Sequence, residues 1–104
     1  MSMEQMKKSE RTIQISDEAL RKVVALSIKD IKGVAELVPE TSVKIMNLGG
    51  AIAVEVKIFV NSNSRAATVA GRVQQIVKQS IQDMTGVTAI HVNVEISGIA
   101  QEVL

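Results

Sequence analysis

A chain of 104 residues is long enough for one domain whose hydrophobic core needs neither a disulfide nor a structural metal. Hydrophobic residues make up 46% of it, but Phe59 is the one aromatic residue, so we expect an aliphatic core. The formal net charge of +1 excludes the strong positive field that recruits nucleic acid or anionic lipid. Cysteine is absent and no apolar run approaches the ~20 residues that span a bilayer. These features predict a cytoplasmic protein without direct membrane insertion.

The N-terminal part of the chain is predicted to contain a leader, a short strand and a helix. Residues 1–10 are polar and charged and indicate a flexible leader, whereas residues 11–15 alternate as a strand. Ser16 is the predicted N-cap of the helix, and two acidic residues follow it, where the helix dipole favours anions. Gly33 ends the helix, and Pro39 lies in the connection that follows. The predicted buried side of this helix consists of Leu20, Val23, Val24, Leu26, Ile28 and Ile31.

The middle of the chain predicts a β-hairpin. Residues 43–46 form its first strand, and residues 47–50 (NLGG) form a turn in which the glycines supply the positive φ that tight turns need. Residues 51–60 form the longest strand, and its side chains alternate strictly between two faces. The inward set is Ile52, Val54, Val56, Ile58 and Val60, and the outward set is Ala51, Ala53, Glu55, Lys57 and Phe59.

A long amphipathic helix and a final strand complete the predicted domain. The helix covers residues 64–84, with Ser64 as N-cap and Gly86 as the residue that closes it. Its apolar stripe is Ala66, Val69, Ala70, Val73, Ile76, Val77, Ile81 and Met84. Residues 90–96 alternate as a strand that buries one face. We therefore predict a single domain over residues 11–99 and a short tail over residues 100–104.

The predicted element order is β-α-β-β-α-β. Both helices have one apolar face and the main strands alternate, which calls for two helices packed on one face of a mainly antiparallel sheet. This is an α+β two-layer sandwich of the split βαβ kind. The last strand lies either beside the third strand or separated from it by the first.

Several segments together resemble the alkaline shock protein family, also called envelope stress response proteins. They are residues 13–18 (IQISDE), 31–34 (IKGV), 69–78 (VAGRVQQIVK), 84–87 (MTGV) and 92–99 (VNVEISGI). The resemblance covers residues 12–99. The chain differs from many relatives at residues 60–63 (VNSN), where those relatives have a Tyr-Gly-type turn before the long helix.

This resemblance implies a non-enzymatic bacterial protein of the envelope or alkaline stress response. Some members are held near the membrane by a separate anchor protein, and others occur beside genes of fatty-acid metabolism. It carries over no catalytic residue. The implied function is a protein–protein interaction or self-assembling module, and the alternative is a regulatory partner of a metabolic enzyme.

Catalytic and ligand-binding motifs are not apparent in the sequence. His91 is the only histidine, and it shares a strand face with Asn93 and Glu95, but His91 and Glu95 lie roughly 13 Å apart along that strand. Such a strand does not close around a metal, whose ligands sit ~2 Å away. Gly49 and Gly50 form a hairpin turn rather than a phosphate loop. We therefore predict no catalytic residue, no cofactor, no metal and no small-molecule substrate, and an interface or solvated role for His91.

The outward sheet face is the best candidate for a partner surface. Its candidate residues are Glu55, Lys57, Phe59, His91, Asn93 and Glu95. The competing interpretation is an ordinary solvated face of an antiparallel sheet. Exposed strand edges offer a second route to self-association. A weak basic strip of Arg65, Arg72 and Lys78 leaves nucleic-acid binding as a third, less favoured hypothesis.

Overall fold

A computed structural model describes residues 15–37 and 42–100 of the chain. They form two helices and four strands: α1 (Asp17–Lys29), β1 (Val34–Leu37), β2 (Val43–Asn47), β3 (Ala51–Asn61), α2 (Ala66–Thr85) and β4 (Ala89–Ala100). The predicted leader, the predicted first strand up to residue 14 and residues 101–104 lie outside the described residues. Ile15 is described and belongs to no helix or strand.

The strand β3 is the centre of the sheet. Both β1 and β2 pair antiparallel with the same side of β3, β2 with its first half and β1 with its second half. On its other side β3 pairs with β4 in parallel along its whole length, from Ala51 opposite Ala89 to Asn61 opposite Ala100. Two of the three pairings are therefore antiparallel, and the longest one is parallel. Because β3 and β4 are direct neighbours, the βαβ unit is not split.

The strand β1 is absent from the predicted elements, because the sequence pattern places residues 34–37 in the connection after the first helix. Gly33 lies between α1 and β1 and adopts a φ of 100°, a conformation that glycine takes readily. It turns the chain so that β1 runs along β3. Its carbonyl oxygen accepts a hydrogen bond of 2.9 Å from the amide of Asn61. The four residues of β1 are too few to show a periodic signal. Apart from this strand, the described elements follow the predicted order.

Both helices cover one face of the sheet, as predicted, and form the core with it. The buried hydrophobic residues are Leu20, Val24, Ile28, Val43, Ile45, Ile52, Val54, Val56, Ile58, Val60, Val69, Val73, Val77, Ile81 and Ile90. They include all five predicted inward residues of β3. Two predicted core residues are exposed: Leu26 on α1 is 64% exposed and Ile76 on α2 is 39% exposed. Val23 and Ala70, also predicted in the core, are half-buried and lie outside it. At 100° per residue, each lies on the margin or the far side of its helix from the buried stripe.

The helix ends follow the predicted caps in two of four cases, and α1 ends at Lys29 with Asp30 as its C-cap rather than at the predicted Gly33. The Ser16 hydroxyl accepts a hydrogen bond of 3.0 Å from the Ala19 amide at the start of α1. Gly86 closes α2 with a φ of 76° and donates its amide to the Gln82 carbonyl at 2.8 Å. The N-cap of α2 is Arg65 rather than the predicted Ser64, and it makes no side-chain capping bond.

Candidate interaction surface

The sheet has an outer face, which we define as the face opposite α1 and α2. The six predicted partner residues lie on it: Glu55, Lys57 and Phe59 from β3, and His91, Asn93 and Glu95 from β4. The parallel register fixes their neighbours. Glu55 lies opposite Asn93, Lys57 opposite Glu95, and His91 opposite Ala53.

The centre of the outer face carries charges of alternating sign. Lys44 of β2 lies opposite Glu55, and Lys57 lies opposite Glu95 on the other side of β3. All four side chains are exposed. Paired strands are ~4.8 Å apart, so opposite charges at paired positions attract one another. Lys44 was not among the predicted residues, although its place between inward Val43 and Ile45 was available as a signal.

One end of the outer face is apolar and lies at the β2–β3 hairpin. Met46 lies opposite Ala53 and is 39% exposed, and Leu48 in the hairpin loop is 60% exposed. Ala51 and Ala89, also directly paired, extend this region with small side chains. The sequence interpretation missed Met46 and Leu48, because it treated the hairpin as a turn and not as the rim of a surface.

Phe59 lies near the other end of the outer face and is less exposed than its place in the sequence predicts. Its ring lies over Gly98: a Cβ atom added at Gly98 would come within 2.8 Å of Phe59 Cε2 and 3.1 Å of Cδ2. This contact depends on a register shift between Ile58 and Phe59, which places Gly98 rather than Ser97 opposite the ring. Phe59 is therefore half-buried on a glycine platform, and one part of its ring remains available to a partner.

The predicted basic strip on α2 is divided between two clefts. Arg65 and Arg72 line a cleft of about 240 Å³ together with Lys32, and Arg72 Nη1 donates a hydrogen bond of 3.3 Å to the Lys32 carbonyl. Lys78 lines a separate groove of about 380 Å³ between α2 and β4. The three cations therefore do not form one continuous track for a nucleic-acid backbone.

Within residues 15–37 and 42–100, no group of three or more His, Cys, Asp and Glu side chains could hold a metal ion. Neither α1 nor α2 combines the length and the apolarity that crossing a bilayer requires.

These observations define a small α+β domain with two helices on one side of its sheet and an outer face not covered by any described element. A model of the alkaline shock protein 23 family, described as having a cell envelope-related function, matches residues 38–101. The match covers more than half of the 104 residues, and the chain belongs to this family. None of the curated proteins compared with the chain matches it.

Among solved structures, C-terminal domains of MamM have the same fold. A single-substitution variant aligns with a TM-score of 0.54 at 15% identity, covering 78% of this chain and 95% of that chain. A manganese form gives 0.51 at 15% identity and covers 78% and 99%. A copper form of another variant gives 0.54 at 13% identity and covers 85% and 100%. At these identities the similarity shows the fold alone.

Proposed function

We propose that this chain is a non-enzymatic interaction module of the cell envelope that docks a protein partner on its outer sheet face. The observation that carries the proposal is the composition of that face. It places exposed Met46 and Leu48 at one end, half-exposed Phe59 at the other, and alternating charges between them. Methionine and aromatic side chains are enriched at protein interfaces, and exposed apolar patches with a polar surround mark interaction sites.

Family membership favours a location for this partner. Membership of a family with a cell envelope-related function favours a partner in or at the envelope. Because neither described helix crosses a membrane, we propose that membrane association depends on a separate anchor protein that binds the outer face. The chain itself then works on the cytoplasmic side, as its composition predicts.

Site-specific photo-crosslinking in living cells tests this proposal. A photoreactive residue replaces Lys57 on the outer face in one strain and Lys29, an exposed lysine at the end of α1, in the matched control. We expect Lys57 to form an adduct with one defined protein that fractionates with the membrane, and Lys29 to form none. Adding Met46→Asp to the Lys57 strain should remove the adduct, because it places a charge in the apolar end of the interface.

Three results would decide against the proposal. They are equal adducts at both positions, adducts at Lys29 alone, and an adduct at Lys57 that Met46→Asp leaves unchanged. An adduct with a soluble metabolic enzyme would instead support the regulatory alternative. Flotation of the purified protein with anionic liposomes at physiological salt would contradict the need for an anchor.

A further inference from the structure

The edge of β4 that faces away from β3, which we name the distal edge, presents hydrogen-bonding groups of known identity. In β3, Lys57 and Asn61 donate their amides to the β2 and β1 side, at 2.8 Å to Ser42 and 2.9 Å to Gly33. Since backbone groups alternate along a strand, the even-numbered residues of β3 bond to β4. In a parallel pair, a residue whose N–H and C=O groups bond to the neighbouring strand lies opposite a residue whose N–H and C=O groups point away from the pair. Val92 and Val94, opposite even-numbered residues of β3, therefore direct their N–H and C=O groups to the distal edge.

A side-chain contact confirms this direction. The side-chain amide of Gln74 on α2 donates a hydrogen bond of 3.2 Å to the Val92 carbonyl. Among the described residues no strand pairs with the distal edge. The register of β4 against β3 is regular from Ala89 to Ile96, where the shift begins. The distal edge is thus a straight row of backbone donors and acceptors, with one side-chain amide on it.

The apolar side chains of β4 are incompletely covered. Val54, Val56 and Ile58 of β3 are fully buried, whereas their partners on β4, Val92, Val94 and Ile96, are only partly buried. Beside Ile90 and Val92, the 380 Å³ groove between α2 and β4 leaves room for further side chains. An additional strand at the distal edge would place its inward side chains against this uncovered apolar surface.

We propose that the distal edge of β4 pairs antiparallel with the distal edge of a second copy, about a two-fold axis at Asn93. The inference rests on the proposed function as an interaction module and names a second copy as one partner. Val92 then bonds to Val94 of the second copy, and Ile90 lies opposite Ile96 of the second copy. Two copies thereby form one continuous sheet, and the contact is closed because the same edge of each copy meets the other.

Hydrogen-bond complementarity selects this register, because an imidazole N–H donates to a carboxylate. With the axis at Asn93, His91 lies opposite Glu95 of the second copy, and symmetry repeats the pair. These positions are the non-hydrogen-bonded ones, where opposing side chains are closest. An axis at Val92 would place His91 opposite Asn93 of the second copy, and an axis at Val94 would place it opposite Ser97, in the shifted region. The axis at Asn93 also centres the pairing on residues 90–96, the regular part of the strand.

Hydrogen exchange of single amides, read by NMR at several protein concentrations, tests the pairing. A seven-residue strand pair is a small contact, so we expect a reversible dimer that dissociates on dilution. The amides of Val92 and Val94 should be protected when the protein is concentrated and exposed when it is dilute. The amides of Asn93 and Glu95 bond to β3 and should stay protected at both concentrations.

Charge-swap variants test the register. His91→Glu places like charges opposite each other twice and should weaken the dimer about tenfold, since each cross-strand pair contributes several tenths of a kcal/mol. Adding Glu95→His to the same chain should restore the dimer. Val94→Pro removes a distal-edge donor without breaking a bond to β3 and should abolish dimerisation, with the circular dichroism spectrum retained. Gln74→Ala, the control, should leave the dimer at least as stable, because it removes the competitor for the Val92 carbonyl.

Several outcomes would overturn the inference. One is a monomer at every concentration with unprotected Val92 and Val94. Another is protection of these amides that does not change with dilution, which would show that the monomer covers its own edge. A double variant as weak as His91→Glu alone would show that the register is wrong. A monomer at every concentration with the Lys57 adduct retained would overturn the edge pairing and leave outer-face docking standing. The expected loss of dimerisation in Val94→Pro with the adduct retained would support both, because the Val94 side chain does not point to the outer face.

Discussion

Replacing Gly33 with alanine should destabilise the fold more than the same replacement at Gly49 or Gly86, the other described glycines with a positive φ. Two costs add at this position. The φ of 100° lies in the region that costs an L-residue about 1–2 kcal/mol. The new Cβ would also lie 2.5 Å from Val69 Cγ2 and 3.1 Å from Ser64 Oγ. Val69 is fully buried, so the core must shift, and overpacking of this kind costs about 1–3 kcal/mol.

Two other glycines separate these costs. Gly86 has a φ of 76° with nothing within 4 Å of an added Cβ, so Gly86→Ala should show the backbone cost of about 1 kcal/mol alone. Gly71 lies inside α2 with nothing within 4 Å, so Gly71→Ala should stabilise the protein by about 0.5–1 kcal/mol. Thermal unfolding followed by circular dichroism measures all three, at roughly 4–8 °C per kcal/mol for a domain of this size. Equal Tm values for Gly33→Ala and Gly86→Ala would refute the packing of α2 against Gly33.

Two further predictions concern the helices. Val73→Asp places a charge in the core and should cost about 3–5 kcal/mol in urea unfolding, whereas Ile76→Asp on the same helix should cost about 1 kcal/mol or less; similar midpoints would mean that the helix face is wrongly assigned. Ser16→Ala should cost about 1 kcal/mol, and Arg65→Ser, which adds a capping hydroxyl where α2 has none, should stabilise by a comparable amount; a destabilising Arg65→Ser would contradict the N-cap assignment.

The periodic elements were predictable because their signals are long. The ten-residue alternation of β3 and the apolar stripe of α2 determined which side chains are buried, and Val73 and Val77 lie in the core as expected. Shorter or one-sided signals were not sufficient. Leu26 is apolar but lies far around α1 from Val24, so counting apolar residues without their angles placed it wrongly. The parallel pairing of β3 with β4 is a long-range contact, and the alternation of side chains along each strand does not predict it.

The outer face was predictable in membership but not in detail. Alternation alone places Glu55, Lys57 and Phe59 on one face, and His91, Asn93 and Glu95 on one face of another strand. Which of them are neighbours depends on the register of β3 against β4. That register includes a shift between Ile58 and Phe59 that the residue pattern does not predict. The contact between Phe59 and Gly98 follows from that shift. These residues remain a predicted docking surface, which the crosslinking experiment tests.

The outer face and the distal edge are compatible surfaces of one molecule. Pairing at the distal edge uses backbone groups of β4, the side chains of its inner face and the outer-face residues His91 and Glu95. It leaves Met46, Leu48 and Phe59 uncovered at the far ends of the outer face. In the proposed dimer two outer faces lie side by side in one sheet, related by the axis at Asn93. A partner anchored in a membrane is confined to two dimensions, so once one outer face has bound, the second meets its partner at a raised effective concentration. A weak edge contact can therefore strengthen envelope association without a strong contact at either outer face, and Val94→Pro should lower membrane association in cells while leaving the adduct of each single copy intact.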